Sequence, residues 1–160
     1  RDAIRHVIAE TVQGMNAGLD PITIAAGLSL PDELADKPYL KEFYGHIGYA
    51  AQAYYAGTLG WFDGNPTSLG RLPPAEEAHR FVKLAGGVEA VAAAAQNALA
   101  AGETQWAMEL ADRVMAVAGP DQGKEIKIKA LRTLADGTLN APTRNYYLLC
   151  ARELESAKAG

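Results

Sequence analysis

The sequence has little of what metal sites and disulfides require. Its 160 residues contain one cysteine and three histidines: Cys150, His6, His46 and His79. A single cysteine excludes an internal disulfide, and the apolar segment around it predicts a small buried side chain rather than a reactive thiolate. The histidines are far apart and form none of the clustered patterns that hold zinc. We therefore expect no metal and no cofactor, with His6 and His79 on the surface.

Long apolar runs and clustered positive charge are also missing. The net charge is −4, and without a stripe of Lys and Arg to displace counterions, nucleic acid and anionic membranes are not expected as partners. No apolar run reaches about 18 residues, the length of a transmembrane helix, and no signal-peptide pattern begins the chain. Because the first residue is Arg1 rather than Met, we expect a fragment of a longer protein, whose compartment stays open.

Familiar catalytic motifs are absent as well. The chain has no G-x-S-x-G nucleophile motif, no phosphate loop and no G-x-G-x-x-G dinucleotide motif. Asp63 could act as a catalytic carboxylate, but ahead of Gly64-Asn65-Pro66 it is typical of a turn residue that accepts backbone hydrogen bonds. We expect no catalysis from these 160 residues alone.

The most specific feature that is present is an aromatic helix end that runs into a turn, at residues 54–74 (YYAGTLGWFDGNPTSLGRLPP). Glycine tolerates positive φ and proline forces the residue before it out of the helical region. Gly60 and the segment 63–66 therefore predict that the helix ends and the chain turns. Trp61 and Phe62 place two large apolar side chains at this turn.

Together with Tyr44-Gly45 before it, this stretch resembles the signature of the helical dimerisation region of alkyl sulfatases, bacterial enzymes whose catalytic domain has a metallo-β-lactamase fold. The similarity extends over nearly the whole chain, including residues 75–87 (AEEAHRFVKLAGG) and 144–148 (RNYYL). The resemblance implies a homodimer, and a catalytic domain of the same chain, ahead of Arg1, that binds two zinc ions. Zinc in such a domain activates water for hydrolysis of a sulfate ester.

One segment departs from the family pattern. After Tyr44-Gly45 the alkyl sulfatases usually have a small polar, an apolar and a small residue and then often His-Asn, where this chain has His46-Ile47-Gly48-Tyr49-Ala50. A basic residue that is common soon afterwards is replaced by Gln52. If the segment lines the active-site entrance, Tyr44, His46 and Tyr49 are the candidate cleft-lining residues. It therefore stays open whether this protein is a relative that has kept the architecture but lost or changed the chemistry.

Helical patterns account for the beginning of the chain. A helix over residues 2–16 is predicted by apolar residues at spacings of three and four. They are Ile4, Val7, Ile8, Val12 and Met15. Gly18 is expected to end this helix, Asp20-Pro21 to begin a helix over residues 22–28, and Pro31 to begin a short one around Leu34. The last two could form a DNA-binding helix-turn-helix, but acidic residues occupy the candidate recognition helix and would repel phosphate.

A longer helix is predicted over residues 40–59, with tyrosines along the edge of its apolar face. Tyrosine buries area and keeps a hydroxyl for hydrogen bonds, so such an edge suits an interface. We expect four residues to supply much of a dimer interface: Tyr54, Tyr55, Trp61 and Phe62. The alternative, which stays open, is that these aromatics belong to the domain core and only their hydroxyls reach the surface.

The second half of the chain is predicted to be helical throughout. Its helices are expected at residues 76–84, 88–101, 103–117, 124–135 and 141–157. The last four form two pairs that begin 36 residues apart, close to the ~34-residue period of tetratricopeptide repeats. Ala94, Ala95 and Ala98, which face Ala107, fit the close helix contact within such a repeat. Trp106 is expected to pack between the helices.

These patterns predict an all-α fold of antiparallel helix pairs, tetratricopeptide-like over residues 88–157, in a single dimerisation domain over residues 1–160. The predicted function is dimerisation of an alkyl sulfatase-like zinc hydrolase. The alternative is a free-standing tetratricopeptide-like scaffold that binds a peptide or a partner helix. A zinc cluster upstream of these residues in the full gene would distinguish the two.

Overall fold

Residues 1–157 are described by a computed structural model, and they form helices and no β-strand. The α-helices are α1 Asp2–Asn16, α2 Pro21–Gly27, α3 Asp32–Ala35, α4 Ile47–Leu59, α5 Pro74–Leu84, α6 Val88–Ala100, α7 Thr104–Ala118, α8 Lys124–Gly137 and α9 Ala141–Ser156. Short 3₁₀ helices lie at Pro38–Leu40, Pro66–Gly70 and Pro120–Gln122. The predicted all-α fold is confirmed.

The chain divides into two compact units, which we call the first unit, Arg1–Arg71, and the second unit, Leu72–Gly160. Residues 158–160, in which the predicted single domain over residues 1–160 ends, lie outside the described residues. That the whole chain acts as one dimerisation domain stays a prediction.

In the first unit, α1 and α2 pack against each other and against α4. Gly14 makes the contact between α1 and α2 possible, because a Cβ there would lie 2.6 Å from Cγ1 of Ile24. The helix α2 begins where the sequence predicts, since the Asp20 carboxylate accepts the backbone N–H groups of Ile22 and Thr23 at 2.9 and 3.0 Å. The apolar core is small: Val7, Ile24, Ala51 and Tyr55.

The predicted helix over residues 40–59 is wrong in its first part, because α4 begins only at Ile47. Two side chains satisfy the free N–H groups of its first turn. Nδ1 of His46 accepts the N–H of Gly48 at 3.1 Å, and the Glu42 carboxylate accepts the N–H of Ile47 at 2.6 Å. These local bonds fix the first turn of α4 at Ile47, so Phe43 precedes the helix and is exposed.

In the second unit, α6 packs on α7, α7 on α8, and α8 on α9. Connections of about three residues between the members of a pair make them antiparallel. Ala95, Ala98 and Ala107 are buried in one apolar core, as the predicted small-residue contact requires, whereas Ala94 is exposed. The four helices lie close to their predicted bounds, and Asn140 caps α9 by accepting the N–H of Thr143.

Trp106 lies on the surface, so the prediction that it packs between the helices is wrong. Its side chain is 41% exposed, whereas the adjacent Ala107 is fully buried. One helical step of about 100° separates the two residues, which is enough to carry a side chain out of the buried face. The Trp106 ring instead lies 6.0 Å from the guanidinium of Arg113, which also stands 4.7 Å over the Phe81 ring.

Gly123 provides a direct test of the packing between α7 and α8. A Cβ at this position would lie 2.8 Å from the Ala111 carbonyl oxygen and 2.9 Å from Cγ of Met115. Because backbone cannot move aside as a flexible side chain does, Gly123→Ala should destabilise the chain by about 1–3 kcal/mol in urea unfolding. The control, Gly137→Ala, places its Cβ where nothing in residues 1–157 lies within 4 Å apart from its chain neighbours and the backbone of its own helix, and should change stability by less than about 1 kcal/mol. Equal effects of the two substitutions would contradict this account.

Candidate functional site

An open apolar groove of about 470 Å³ runs along the surface of the first unit. Ile4 and Ile8 of α1 form one wall. Leu40 and three residues of α4, Ile47, Ala50 and Tyr54, form the other. This volume lies within the range of about 300–1,000 Å³ that is typical of sites for organic groups.

His46 is the one predicted cleft-lining residue that reaches this groove. Because its Nδ1 accepts the N–H of Gly48, the neutral ring carries its proton on Nε2, which faces the Glu42 carboxylate at 3.8 Å. The Tyr49 ring stacks on the imidazole, with centroids 4.2 Å apart. The ring therefore serves local structure. It caps α4, and among the described residues no serine or cysteine hydrogen-bonds to it as a nucleophile would.

Tyr44, the remaining predicted cleft residue, lies before α4 and is 80% exposed. Tyr49 is half exposed against His46. Lining of a catalytic entrance by Tyr44, His46 and Tyr49 stays a prediction, because such an entrance needs a catalytic domain that is not among these residues.

A tightly bonded turn follows α4, as the sequence predicts. Oδ1 of Asp63 accepts the N–H of Asn65 at 2.9 Å, and Oδ2 accepts the hydroxyl of Ser68 at 2.7 Å. The Asn65 side chain in turn accepts the N–H of Thr67 at 3.1 Å. The Asn65 N–H, followed by the Ser68 hydroxyl, lowers the pKa of the Asp63 carboxyl below its ordinary value. Of the two predicted roles of Asp63, catalytic carboxylate or turn residue, these hydrogen bonds match the turn residue.

The four aromatics predicted for an interface have different environments. Tyr55 is only 5% exposed, and its hydroxyl donates to the Phe62 carbonyl at 3.4 Å. Trp61 is 74% exposed, and its ring meets the half-buried Phe62 ring edge to face, with centroids 5.8 Å apart. Tyr54 is partly exposed and lines the groove. Tyr55 thus belongs to the core, as the alternative to an interface role predicts, whereas Tyr54 and Trp61 lie on the surface.

Sequence reasoning missed the exposed side of α1. Helix α1 has its predicted bounds, but Val7, Thr11 and Gly14 form the buried face, whereas Ile4, Ile8 and Val12 of the predicted stripe are exposed. The apolar residues of α1 therefore cover more of the helix surface than the buried face alone. That width is a sequence signal for a second contact surface.

The two other histidines and Cys150 do not come together. His6 bonds the Ser29 carbonyl oxygen at 2.8 Å, while His79 lies on the exposed side of α5. Cys150 is half-buried on α9. In the described part of the chain, no three His, Cys, Asp or Glu side chains are grouped as metal ligands. None of the helices in residues 1–157 is long and apolar enough to cross a membrane.

The described residues form an all-helical domain with exposed aromatic side chains on its first unit. The chain belongs to the alkyl sulfatase dimerisation family, whose pattern matches residues 20–157. The predicted resemblance to alkyl sulfatases is therefore confirmed.

The relatives and solved structures that the chain matches are longer proteins. It is 40% identical to a linear primary-alkylsulfatase of a Pseudomonas species, a match that covers all of this chain and 31% of the relative. It is 37% identical to an (R)-specific secondary-alkylsulfatase of Pseudomonas, over 96% of this chain and 24% of that protein. The structure of the stereoselective inverting sec-alkylsulfatase Pisa1 from Pseudomonas superposes with a TM-score of 0.92 at 32% identity, over 99% of this chain and 25% of that one. The chain thus spans about a quarter to a third of the length of the relatives it matches.

The Asp63 turn should make stability depend on pH. A lowered pKa in the folded state means that the carboxylate stabilises the turn at neutral pH, and that this contribution is lost as the pH falls through the folded pKa, below the ordinary value of 3.8. The difference in unfolding free energy between the wild type and Asp63→Asn should therefore be largest near neutral pH and shrink in acid. Thr67→Ala, a change in the same turn that leaves the carboxylate in place, should give a difference that does not vary with pH. A pH-independent difference for Asp63→Asn would contradict the assigned hydrogen bonds.

Proposed function

We propose that the chain is the homodimerisation domain of an alkyl sulfatase-like zinc hydrolase, and that the first unit supplies much of the contact between copies. The observation that supports this most is Trp61, a large apolar side chain held 74% exposed on a turn that is fixed by its own hydrogen bonds. The family assignment, which is to a dimerisation domain, points to a second copy as the partner.

The energetic argument rests on how much apolar surface the first unit leaves uncovered. Its buried core has few large side chains, yet its exposed side chains include Trp61, Tyr54, Tyr49, Ile4 and Leu69. Soluble monomers rarely expose large contiguous apolar patches, and interface hot spots favour Trp and Tyr. The Asp63 and Asn65 hydrogen bonds hold the turn in one shape, so association loses less conformational entropy there.

The chemistry of the parent protein is inferred from its relatives. Linear primary-alkylsulfatase and (R)-specific secondary-alkylsulfatase are names of relatives that the chain matches over only part of their length. We infer that the reaction takes place in a metallo-β-lactamase-like catalytic domain of the same chain, where zinc would activate water to hydrolyse a sulfate ester. The segment around Tyr49-Ala50, which departs from the family pattern, makes a parent with changed specificity the alternative within this proposal.

A second candidate function is a tetratricopeptide-like scaffold, favoured by one observation in the second unit. Besides the contacts within the pairs, α6 also contacts α8, as the first helices of successive repeats do in a stack. A groove of about 510 Å³ lies along α7, α8 and α9, with Met108, Leu131 and Tyr147 among its lining. Such a groove fits a partner helix or an extended peptide.

The dimer should be visible by sedimentation of the 160-residue chain at micromolar concentration. Trp61→Glu places a charge in the proposed interface of both copies, so the dissociation constant should rise at least about tenfold, or 1.4 kcal/mol. Tyr146→Glu alters an exposed aromatic of the second unit and should leave association unchanged. Both variants should keep the wild-type helical spectrum. A wild-type chain that stays monomeric at high concentration would contradict the homodimer.

The same material tests where the metal chemistry lies. Because the residues that are described hold no grouped metal ligands, the purified chain should contain far less than one zinc ion per molecule and should not hydrolyse dodecyl sulfate. Zinc bound stoichiometrically after dialysis would place a metal site within these residues and contradict the proposal.

A further inference from the structure

His46 begins helix α4 with a hydrogen bond that only an uncharged imidazole can make. Its Nδ1 accepts the N–H of Gly48 at 3.1 Å, and a ring nitrogen accepts a hydrogen bond only when it carries no proton. Nε2 of the same ring faces Oε2 of Glu42 at 3.8 Å. The other oxygen of that carboxylate, Oε1, accepts the N–H of Ile47 at 2.6 Å. Two side chains thus cap the first turn together, and imidazole is the kind of side chain that changes its charge between about pH 5 and 8.

The absence of a side chain at Gly48 gives the imidazole its place. A Cβ there would lie 3.1 Å from Cε1 and 3.2 Å from Nδ1 of His46, and 3.5 Å from Cβ of Ala25 on α2. Since carbon atoms pack best at about 3.5–4.0 Å, the ring occupies space that a side chain at position 48 would fill. The ring also stacks on Tyr49, with centroids 4.2 Å apart. Packing therefore holds the neutral ring in the capping position in addition to its hydrogen bond.

We propose that protonation of His46 transfers its ring from the Gly48 N–H to the Glu42 carboxylate, so that the start of α4 is a pH-dependent switch. In the imidazolium both ring nitrogens carry a proton, and the capping position would set two N–H donors against each other at 3.1 Å. A charge-assisted bond from Nε2 to Oε2 of Glu42 is about 2.7–2.9 Å long, so the ring needs to move by only about 1 Å to form it. This inference goes beyond the proposed homodimer and does not depend on it.

The surroundings of His46 offer Glu42 as the ionic partner of an imidazolium. Among the described residues that line the groove with His46, Glu42 is the one carboxylate and Lys41 the one other cation. The Lys41 ammonium is engaged elsewhere, since it donates to the Ala35 carbonyl at 2.8 Å. The side chains that α1 contributes to the groove are apolar, and α2 approaches Gly48 with Ala25. The other titratable groups near the ring are tyrosines, whose hydroxyls keep their proton in this pH range: Tyr39, Tyr49 and Tyr54.

The transfer is local and does not require the chain to unfold. The side chains of His46 and Glu42 are 36% and 35% exposed, so a proton reaches the ring from solvent, and water weakens the attraction between the two charges. Losing the cap and gaining the ion pair change the free energy of unfolding in opposite directions. The change is therefore expected in the first turn of α4 rather than in overall stability. Because His46 lines the groove, the transfer also places a positive charge at the groove wall.

Amide exchange, measured by NMR on the 160-residue chain, distinguishes the two caps. After correction for the intrinsic effect of pH, the protection of the Gly48 amide should fall about threefold to tenfold between about pH 8 and about pH 5.5, the loss that one side-chain cap implies. The Ile47 amide should keep its protection, because Oε1 of Glu42 accepts it in both forms. Loss of protection at both amides together, or at neither, would overturn the transfer.

His46→Asn is the matched variant for this measurement. Asparagine caps a helix through its side-chain oxygen and gains no charge in this pH range, so the Gly48 amide should stay protected at both pH values. His79→Asn removes an exposed imidazole on α5 and should leave the response of the wild type unchanged. A pH response that persists in His46→Asn, or that disappears in His79→Asn, would assign the effect to another group.

The ring itself gives an independent measurement. Nitrogen NMR of the histidine side chains should show the neutral His46 ring with its proton on Nε2, as the bond to the Gly48 N–H requires. Circular dichroism should show the same helical content at both pH values. A neutral ring that carries its proton on Nδ1 would contradict the cap, and a general loss of helix at the lower pH would replace the local switch by acid unfolding.

Discussion

The first unit depends on how Tyr55 is held. Its ring is buried among Ile24 and Ala51, and its hydroxyl reaches out of that core to the Phe62 carbonyl. One side chain thereby connects the small core of the first unit to the turn that follows α4. Because the core contains few other large residues, losing this ring would open a cavity and remove the hydrogen bond that joins the core to the turn. The exposed position of Trp61 is thus a property of the folded unit rather than of a loose loop.

Most of the helical architecture could be predicted from the sequence, because its signals are local. Asp20-Pro21 and Asn140 begin helices through hydrogen bonds to residues two or three positions away, and the period of apolar residues assigns the long helices of the second unit. The turn at Asp63 could be predicted for the same reason, because its hydrogen bonds join residues that are close in sequence. Family membership also follows from local motifs, since the matching residues 20–157 include the turn and its flanks.

The features that could not be predicted depend on which helix faces pack against each other. The early part of the predicted helix at residues 40–59 is apolar enough to be helical. The Glu42 carboxylate, which accepts the N–H of Ile47 five residues later, and the His46 cap favour a later start. Trp106 lies beside the buried stripe of α7, and periodicity alone does not say how wide that stripe is. The groove is lined by residues of α1, of α4 and of the segment before α4, so no single stretch of sequence encodes it.

The Asp63 turn also has a consequence for the rate of assembly. The side-chain hydrogen bonds of Asp63 and Asn65 join residues no more than five positions apart, so closing the turn loses little chain entropy. Loops of this size close within about 100 ns, far faster than two proteins meet. In the proposed homodimer, an encounter between copies would therefore find the tryptophan already in place and would not wait for a segment to order. For such a surface, association is limited by orientation and diffusion, in the range of about 10⁵–10⁷ M⁻¹s⁻¹, and affinity is set mainly by how slowly the copies separate.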